Sequence, residues 1–337
     1  MSKIISSSWI NLADHRLGTE VLYATDDFFA EKENLIKPGR GLYIPDKYTD
    51  HGKWMDGWES RRKRVEGHDY CDIKLGLSGI IKGLDIDTNH FLGNHPPFAS
   101  VEATYDKTIE ENTKWTEILP RSPLKPGSQN IFEVSSKEKW NHVRLHIYPD
   151  GGVARFRVYG KTVIDWEQKK NLEKIDLASI LNGGQVLLCN DMFFSDKNNL
   201  IMPGPGLNMG DGWETRRKRA KNLGDPLDPD WAILVLGRPG IISEAEIDTS
   251  HFKGNFPDCA SLEGLLLEDL TKKPTETLPD LTDKDWKPLL SKTKLKPDYQ
   301  HYFKQEIQPQ GKVSHVRIRI YPDGGVSRLR LWGKPIF

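Results

Sequence analysis

The chain carries nearly the same message twice. Residues 56–64 read DGWESRRKR and residues 211–219 read DGWETRRKR, differing only at Ser60 against Thr215. Charged surface drifts unless a fold or a ligand holds it, so two such copies imply a duplicated domain whose polar residues have a task. Further pairs extend the match. Residues 21–41 align with 186–206 at an offset of 165, residues 86–102 with 247–263 at 161, and residues 143–161 with 316–334 at 173. The offsets change only between blocks, as insertions in loops would make them, and one change is an extra loop around Tyr43 to Lys53 in the first copy. A period this long describes two domains rather than a solenoid, whose units run roughly 20 to 50 residues. The first repeat is placed at 1–165 and the second at 171–337, with the polar stretch 161–172 (KTVIDWEQKKNL) between them.

Each half of the 337 residues is large enough to bury its own core. Lys plus Arg and Asp plus Glu both total 48, a balance that removes the electrostatic case for a nucleic acid partner. No apolar run approaches the roughly 20 residues needed to span a bilayer, so no membrane partner is expected. The opening MSKIISSSWINLADHR lacks the apolar core of a signal peptide, and the expected location is cytoplasmic. Cys71, Cys189 and Cys259 are scattered and align with Ala232, Ala24 and Phe98 in the opposite copy. They read as buried small hydrophobes rather than nucleophiles.

Strand periodicity dominates. Val143, Leu145 and Ile147 alternate with Arg144, His146 and Tyr148, PDGG follows, and Phe156 and Val158 alternate with Arg155 and Arg157. This pattern predicts a β-hairpin with the cations on one face, repeated with Arg317, Arg319, Arg328 and Arg330 in the second copy. Other strand segments are 21–23, 186–188, 71–75, 233–236 and 241–247, with one helical turn expected near 115–119 and its counterpart at 286–290. Many short strands punctuated by Gly and Pro predict an all-β chain with one β-sandwich per half.

Cations on neighbouring strands repel unless something negative lies between them. Either internal acids or a carboxylate ligand gripped by guanidinium forks would satisfy them. The RRKR runs follow Gly-Trp-Glu at the same place in each copy, which favours a role inside the fold over a targeting signal, with alternate arginines facing opposite ways. Trp58 and Trp213 read as scaffold. The best acid, base and metal candidates gather in a third block, where Asp87, Thr88, His90, Asn94 and Glu102 are matched by Asp248, Thr249, His251, Asn255 and Glu263. Asp-x-x-His followed by Asn and Glu can build a hydrogen-bonded general base or a divalent site of oxygen and imidazole ligands. His95 faces Phe256 across the repeat, so the copies need not be equally competent.

DGWE-[ST]-RRKR, IDT-x-HF-x-GN-x-P and IYPDGGV, each present in both halves and in order, resemble the allantoicase family over almost the entire chain. That resemblance implies two tandem jelly-roll sandwiches of galactose-binding-like type, and the hydrolysis of allantoate to ureidoglycolate and urea in purine breakdown. Allantoate is a small anion bearing one carboxylate and two ureido groups. On this reading Arg61, Arg144, His146, Arg155, Arg157 and Asn94 bind substrate in the first copy, and Arg216, Arg317, Arg328, Arg330 and Asn255 in the second. His90 or Asp87 would act as base and Glu59 or Glu102 as acid, with His251, Asp248, Glu214 and Glu263 as their equivalents. Cofactor use is open; for a divalent ion the candidate ligands are Asp87, His90 and Glu102. A homo-oligomer is expected. Two rival readings are a non-catalytic small-ligand or carbohydrate-binding module and a scaffold for assembly.

Overall fold

The computed structural model describes residues 9–220, 222, 227–267, 281 and 285–337. Residues 1–8, read above for a signal segment, lie outside that set. The chain divides into Met1–Val163 and Ile164–Phe337. Each unit is built on one eight-stranded antiparallel sheet system, and no helix among the described residues is long and apolar enough to cross a membrane.

In the first unit everything is organised by a 19-residue strand, Asp69–Asp87. Its first half pairs with Glu20–Ala24 and Trp140–Tyr148, and its second half with Gln129–Glu133 and Arg155–Thr162. The strand therefore serves two layers, and the register breaks near Gly79 and Gly83 where it passes between them. Leu84, Ile86, Val143, Leu145, Ile147, Phe156 and Val158 are all fully buried between those layers. The second unit repeats the plan around Asp230–Asp248. The segments 233–236 and 241–247, read from sequence as separate, are thus one strand.

The expected hairpin does not form. Trp140–Tyr148 and Arg155–Thr162 never pair with each other; both pair with Asp69–Asp87, in different halves. Alternation identifies each arm as a strand but leaves its partner unspecified, and the partner here is some 70 residues away. Between the arms, Gly152–Val153 instead pairs with Trp58–Glu59 of the DGWE run. The expected helical turns at 115–119 and 286–290 are strands too, within Thr116–Pro123 and Lys287–Lys294.

Three of the duplicated motifs meet at one aromatic ring. A Cβ on Gly57 of DGWE would stand 2.6 Å from Phe91 and 2.6 Å from the Val153 carbonyl, and one on Gly152 would fall 2.0 Å from Phe91. Phe252 takes the same place against Gly212 and Gly325. Trp58 and Trp213 are fully buried, each donating its indole N–H at 2.8 Å to the carbonyl of Asp26 or Asp191. Cys71 and Cys259 are buried as expected, whereas Cys189 is half-exposed; burial still pushes its thiol up to about 11.

The RRKR runs do not alternate. Arg61, Arg62 and Arg64 are all exposed and the lysine turns inward, Lys63 pairing with the fully buried Asp69. Lys218 does the same with Asp230 at 2.7 Å. A single flexible ammonium can reach a buried carboxylate through a narrow opening where a planar guanidinium cannot.

Candidate active site

A cleft of about 560 Å³ opens at one end of the first sandwich. Glu59, at the end of the DGWE strand, and Asn94 of the GN-x-P turn lie 35 residues apart in sequence, yet the Asn94 Nδ2 donates to Glu59 Oε1 at 2.7 Å. Burial raises the Glu59 carboxyl above its ordinary range, and the Asn94 bond offsets part of that by favouring the ionised form. His90 lines the same cleft from a left-handed backbone position, φ 67°, a conformation costly for a residue with a Cβ and found disproportionately at functional sites.

The remaining polar lining comes from the extra loop. Fourteen residues separate Gly41 from Asp56, against four between Gly206 and Asp211, so the first repeat is ten residues longer there. The insertion folds into a small hairpin, Tyr48–Thr49 paired with Gly52–Lys53, and sends Tyr43, His51 and Lys53 to the cleft wall. Lys53 Nζ donates to the Tyr43 hydroxyl at 2.5 Å, the Tyr43 ring lies 5.6 Å from His90, and His51 stacks on Phe28 at 4.1 Å. Sequence comparison between the repeats missed these three residues because they have no twin. The insertion itself, carrying Tyr, His and Lys, was the available signal.

The loop is held at its root by charge. Arg40 forks onto Asp87 at 2.8 and 2.9 Å, and Asp87 is almost completely buried. Asp56 accepts from the Leu42 N–H at 2.8 Å and from Arg155 at 2.6 Å. Burial alone would raise the Asp56 carboxyl, but the Arg155 guanidinium and the Leu42 N–H hold it below the usual range. Asn89 donates to the Gly41 carbonyl at 2.8 Å, which leaves the His90 imidazole without a hydrogen bond to any described residue.

Several predicted site residues are thereby reassigned. Asp87, offered above as base or metal ligand, is closed by the Arg40 fork. Arg155 is 3% exposed and bound to Asp56 and two carbonyls, and Arg157 reaches the carbonyls of Leu35, Lys37 and Gly39. Arg328 and Arg330 do the same for the loop 199–211, so in both repeats loop carbonyls occupy these guanidinium groups. The physical reason is common to all: carbonyls of a Gly- and Pro-rich loop converge on one buried cation, which satisfies many acceptors at once.

Arg144 and His146 lie on strand Trp140–Tyr148 beside Glu102, and none of the three lines the cleft. Arg144 forks onto Asp72 at 2.6 and 2.9 Å between the rings of Tyr70 and Trp115. His146 bridges Glu102 and His68, 2.9 Å to each. In the second repeat Glu263 accepts from both Arg317 and Arg319, at 2.6 and 2.9 Å. Glu102 and Glu263 are thus internal counter-ions. Asp87, His90 and Glu102 do not converge, and no cluster of three or more His, Cys, Asp or Glu suited to a metal occurs among the described residues. Arg61 is exposed and paired with Asp26, while Arg216 stands over the Phe193 ring at 4.2 Å.

The second repeat keeps part of the cleft. Phe29, Glu59, His90, Gly93 and Asn94 recur as Phe194, Glu214, His251, Gly254 and Asn255, with Asn255 Nδ2 2.5 Å from Glu214 Oε1. His251 is again left-handed at φ 72°, but its Nε2 is bonded to the Gly206 carbonyl at 2.7 Å. Ser250 stands where Asn89 caps that carbonyl in the first repeat, so the imidazole takes over the task. Pro205 replaces Arg40, and Asp248 Oδ2 is buried without a hydrogen-bond partner among the described residues.

This geometry belongs to a recorded family. The sequence model of the allantoicase repeat matches residues 10–163 and again 175–336. The chain belongs to the allantoicase family. It is 48% identical over 327 residues to a probable allantoicase of Burkholderia mallei, covering 96% of this chain and 94% of that one. A probable allantoicase of Photobacterium profundum is 47% identical, with 96% of each chain covered. The crystal structure of allantoicase from Saccharomyces cerevisiae superposes with a TM-score of 0.81 at 38% identity, covering 98% of this chain and 95% of that one. Membership makes the chain a hydrolase of allantoate in purine degradation, and the readings as a binding module or scaffold are not favoured.

Proposed function

We propose that allantoate is hydrolysed to ureidoglycolate and urea in the cleft of the first repeat, with Glu59 as the proton carrier. The observation that carries this is the Glu59–Asn94 pair: a carboxyl raised by burial, fixed by one amide bond and facing a cleft whose wall carries the Lys53 ammonium. Asn94 Oδ1 offers an acceptor to an N–H of a ureido arm, and Glu59 Oε2, the oxygen not bonded to Asn94, carries the proton toward the leaving nitrogen. Lys53 and His51 meet the substrate carboxylate, and Tyr43 and His90 close the wall between them. Protonated Glu59 gives its proton to the departing nitrogen as the carbon–nitrogen bond breaks, releasing urea. The carboxylate left behind then takes a proton from the water that adds to the same carbon, which restores Glu59 and yields ureidoglycolate. No metal is assigned a step, since the predicted ligands do not gather.

Urea release from allantoate tests the assignment. Lys53→Ala should raise KM with a smaller effect on kcat, and Glu59→Gln should lower kcat. Unchanged KM in Lys53→Ala would remove the insertion from substrate binding, and the absence of any urea with the folded wild-type protein would remove the activity.

A further inference from the structure

The second repeat has lost the insertion yet kept the pair on which ureido binding rests. Asn255 still holds Glu214, and neither Glu214 Oε2 nor Asn255 Oδ1 bonds to any described residue, so two acceptors remain presented side by side. Phe194 keeps the place of Phe29, at 60% exposed, and Met209 lies beside the pair with its sulfur 3.7 Å from Asn255 Nδ2. A cation is present as well. Lys253 stands where the first repeat has Leu92, and its ammonium is 80% exposed with only a loose 3.9 Å approach to Asp298. Two acceptor oxygens without a bond to any described residue, the exposed Phe194 ring and, two positions from Asn255 in the chain, the exposed Lys253 ammonium together match a ligand with ureido N–H groups at one end and an anionic group at the other.

We infer that the second repeat holds a separate, non-hydrolysing binding site for small ureido-carboxylates, built on Glu214, Asn255 and Lys253. It rests on the reading of the first-repeat cleft, because the acceptor pair is interpreted through its twin. Turnover is absent there for structural reasons: the second repeat has no counterpart of Tyr43, His51 or Lys53, and His251 is tied to the Gly206 carbonyl rather than facing a ligand. The site would sense substrate or product of the same reaction, since both carry a ureido arm and a carboxylate.

The probe is N-carbamoylglycine, which has one ureido arm and a carboxylate but no second nitrogen on the carbon to expel the leaving group, so its carbon–nitrogen bond is not cleaved by this route. Calorimetric titration of the full chain should give two sites per chain. Glu214→Ala should leave one, and Lys253→Ala, an exposed change that spares the fold, should weaken one of the two by about fivefold. One site per chain in the wild type, or two sites untouched by both variants, would overturn the inference. Failure of the parent reading is separable: Glu59→Gln that still releases urea at the wild-type rate would sink the first-repeat assignment whatever the stoichiometry.

Discussion

The two repeats share a scaffold and part with each other at one loop. Both bury the DGWE tryptophan, both pack the glycines of two motifs against one phenylalanine, and both join an Asn to a Glu across some 35 to 41 residues of sequence. Only the first has the ten-residue insertion and the Arg40–Asp87 fork at its root. The lesson is that both copies keep the Glu–Asn pair, while the inserted loop and its anchor belong to one copy. A duplicated feature marks what the fold or a shared ligand requires, and an unmatched one marks what distinguishes the copies.

The strongest way to break that comparison is to make the first repeat resemble the second. Replacing residues 42–55 by the four residues Leu207 to Gly210 should leave a folded protein, judged by far-ultraviolet circular dichroism, whose urea release is at least about 100-fold slower, because positioning and proton-transfer contributions are lost together. Activity near the wild-type level would mean that the insertion is ornamental.

Next in size is Arg40→Gln. It strips the fork from a buried carboxylate and loosens the loop root, so KM for allantoate should rise about tenfold, the scale of one charge-assisted hydrogen bond. Arg40→Lys should recover part of it. Equal losses in both variants would point to a fold defect instead.

A smaller and more diagnostic effect is expected from Asn94→Ala. The amide bond favours ionised Glu59, so its removal lets burial raise that carboxyl further. An acid catalyst works only while protonated, and activity falls as pH rises through its raised value. The alkaline limb of kcat should therefore move to higher pH in Asn94→Ala; a limb that stays in place would assign the proton to another group.

The smallest effect concerns stability. Burial pushes Asp85 up to about 6, from an ordinary 3.8, and its counterpart Glu246 is also raised by burial. A carboxyl whose folded value is raised contributes stability that is intact below the unfolded value and is lost as pH rises through the folded one. The loss at Asp85 amounts to about 3 kcal/mol above that range. Asp85→Asn should thus raise the melting temperature at pH 8 by roughly 5 °C and leave it unchanged at pH 4, and Glu246→Gln should act in the same direction with smaller size. A rise at both pH values would indicate repacking rather than titration.

Much of the architecture was legible in the residues. Matched motifs marked the repeats, alternation marked the strands, and Glu59, His90 and Asn94 stood out as polar residues within motifs present twice. Partners across the sheets were not legible. Period two around Val143 and Phe156 identifies two strands but carries no information about Asp69–Asp87, to which both are joined. Nor does the letter Arg reveal that Arg155 and Arg328 are buried among loop carbonyls, since nothing in a sequence shows where Gly and Pro segments aim their oxygens. Tyr43, His51 and Lys53 were hidden by the very comparison that exposed the duplication.

The central claim is that the chemistry resides in the first repeat and passes through one carboxyl. Its most direct test is kcat/KM for urea release from allantoate, measured side by side for Glu59→Gln and Glu214→Gln. The expected result is a loss of about 100-fold to 10,000-fold in Glu59→Gln, far exceeding any loss in its twin. A larger loss in Glu214→Gln, or wild-type rates in both, would contradict the account.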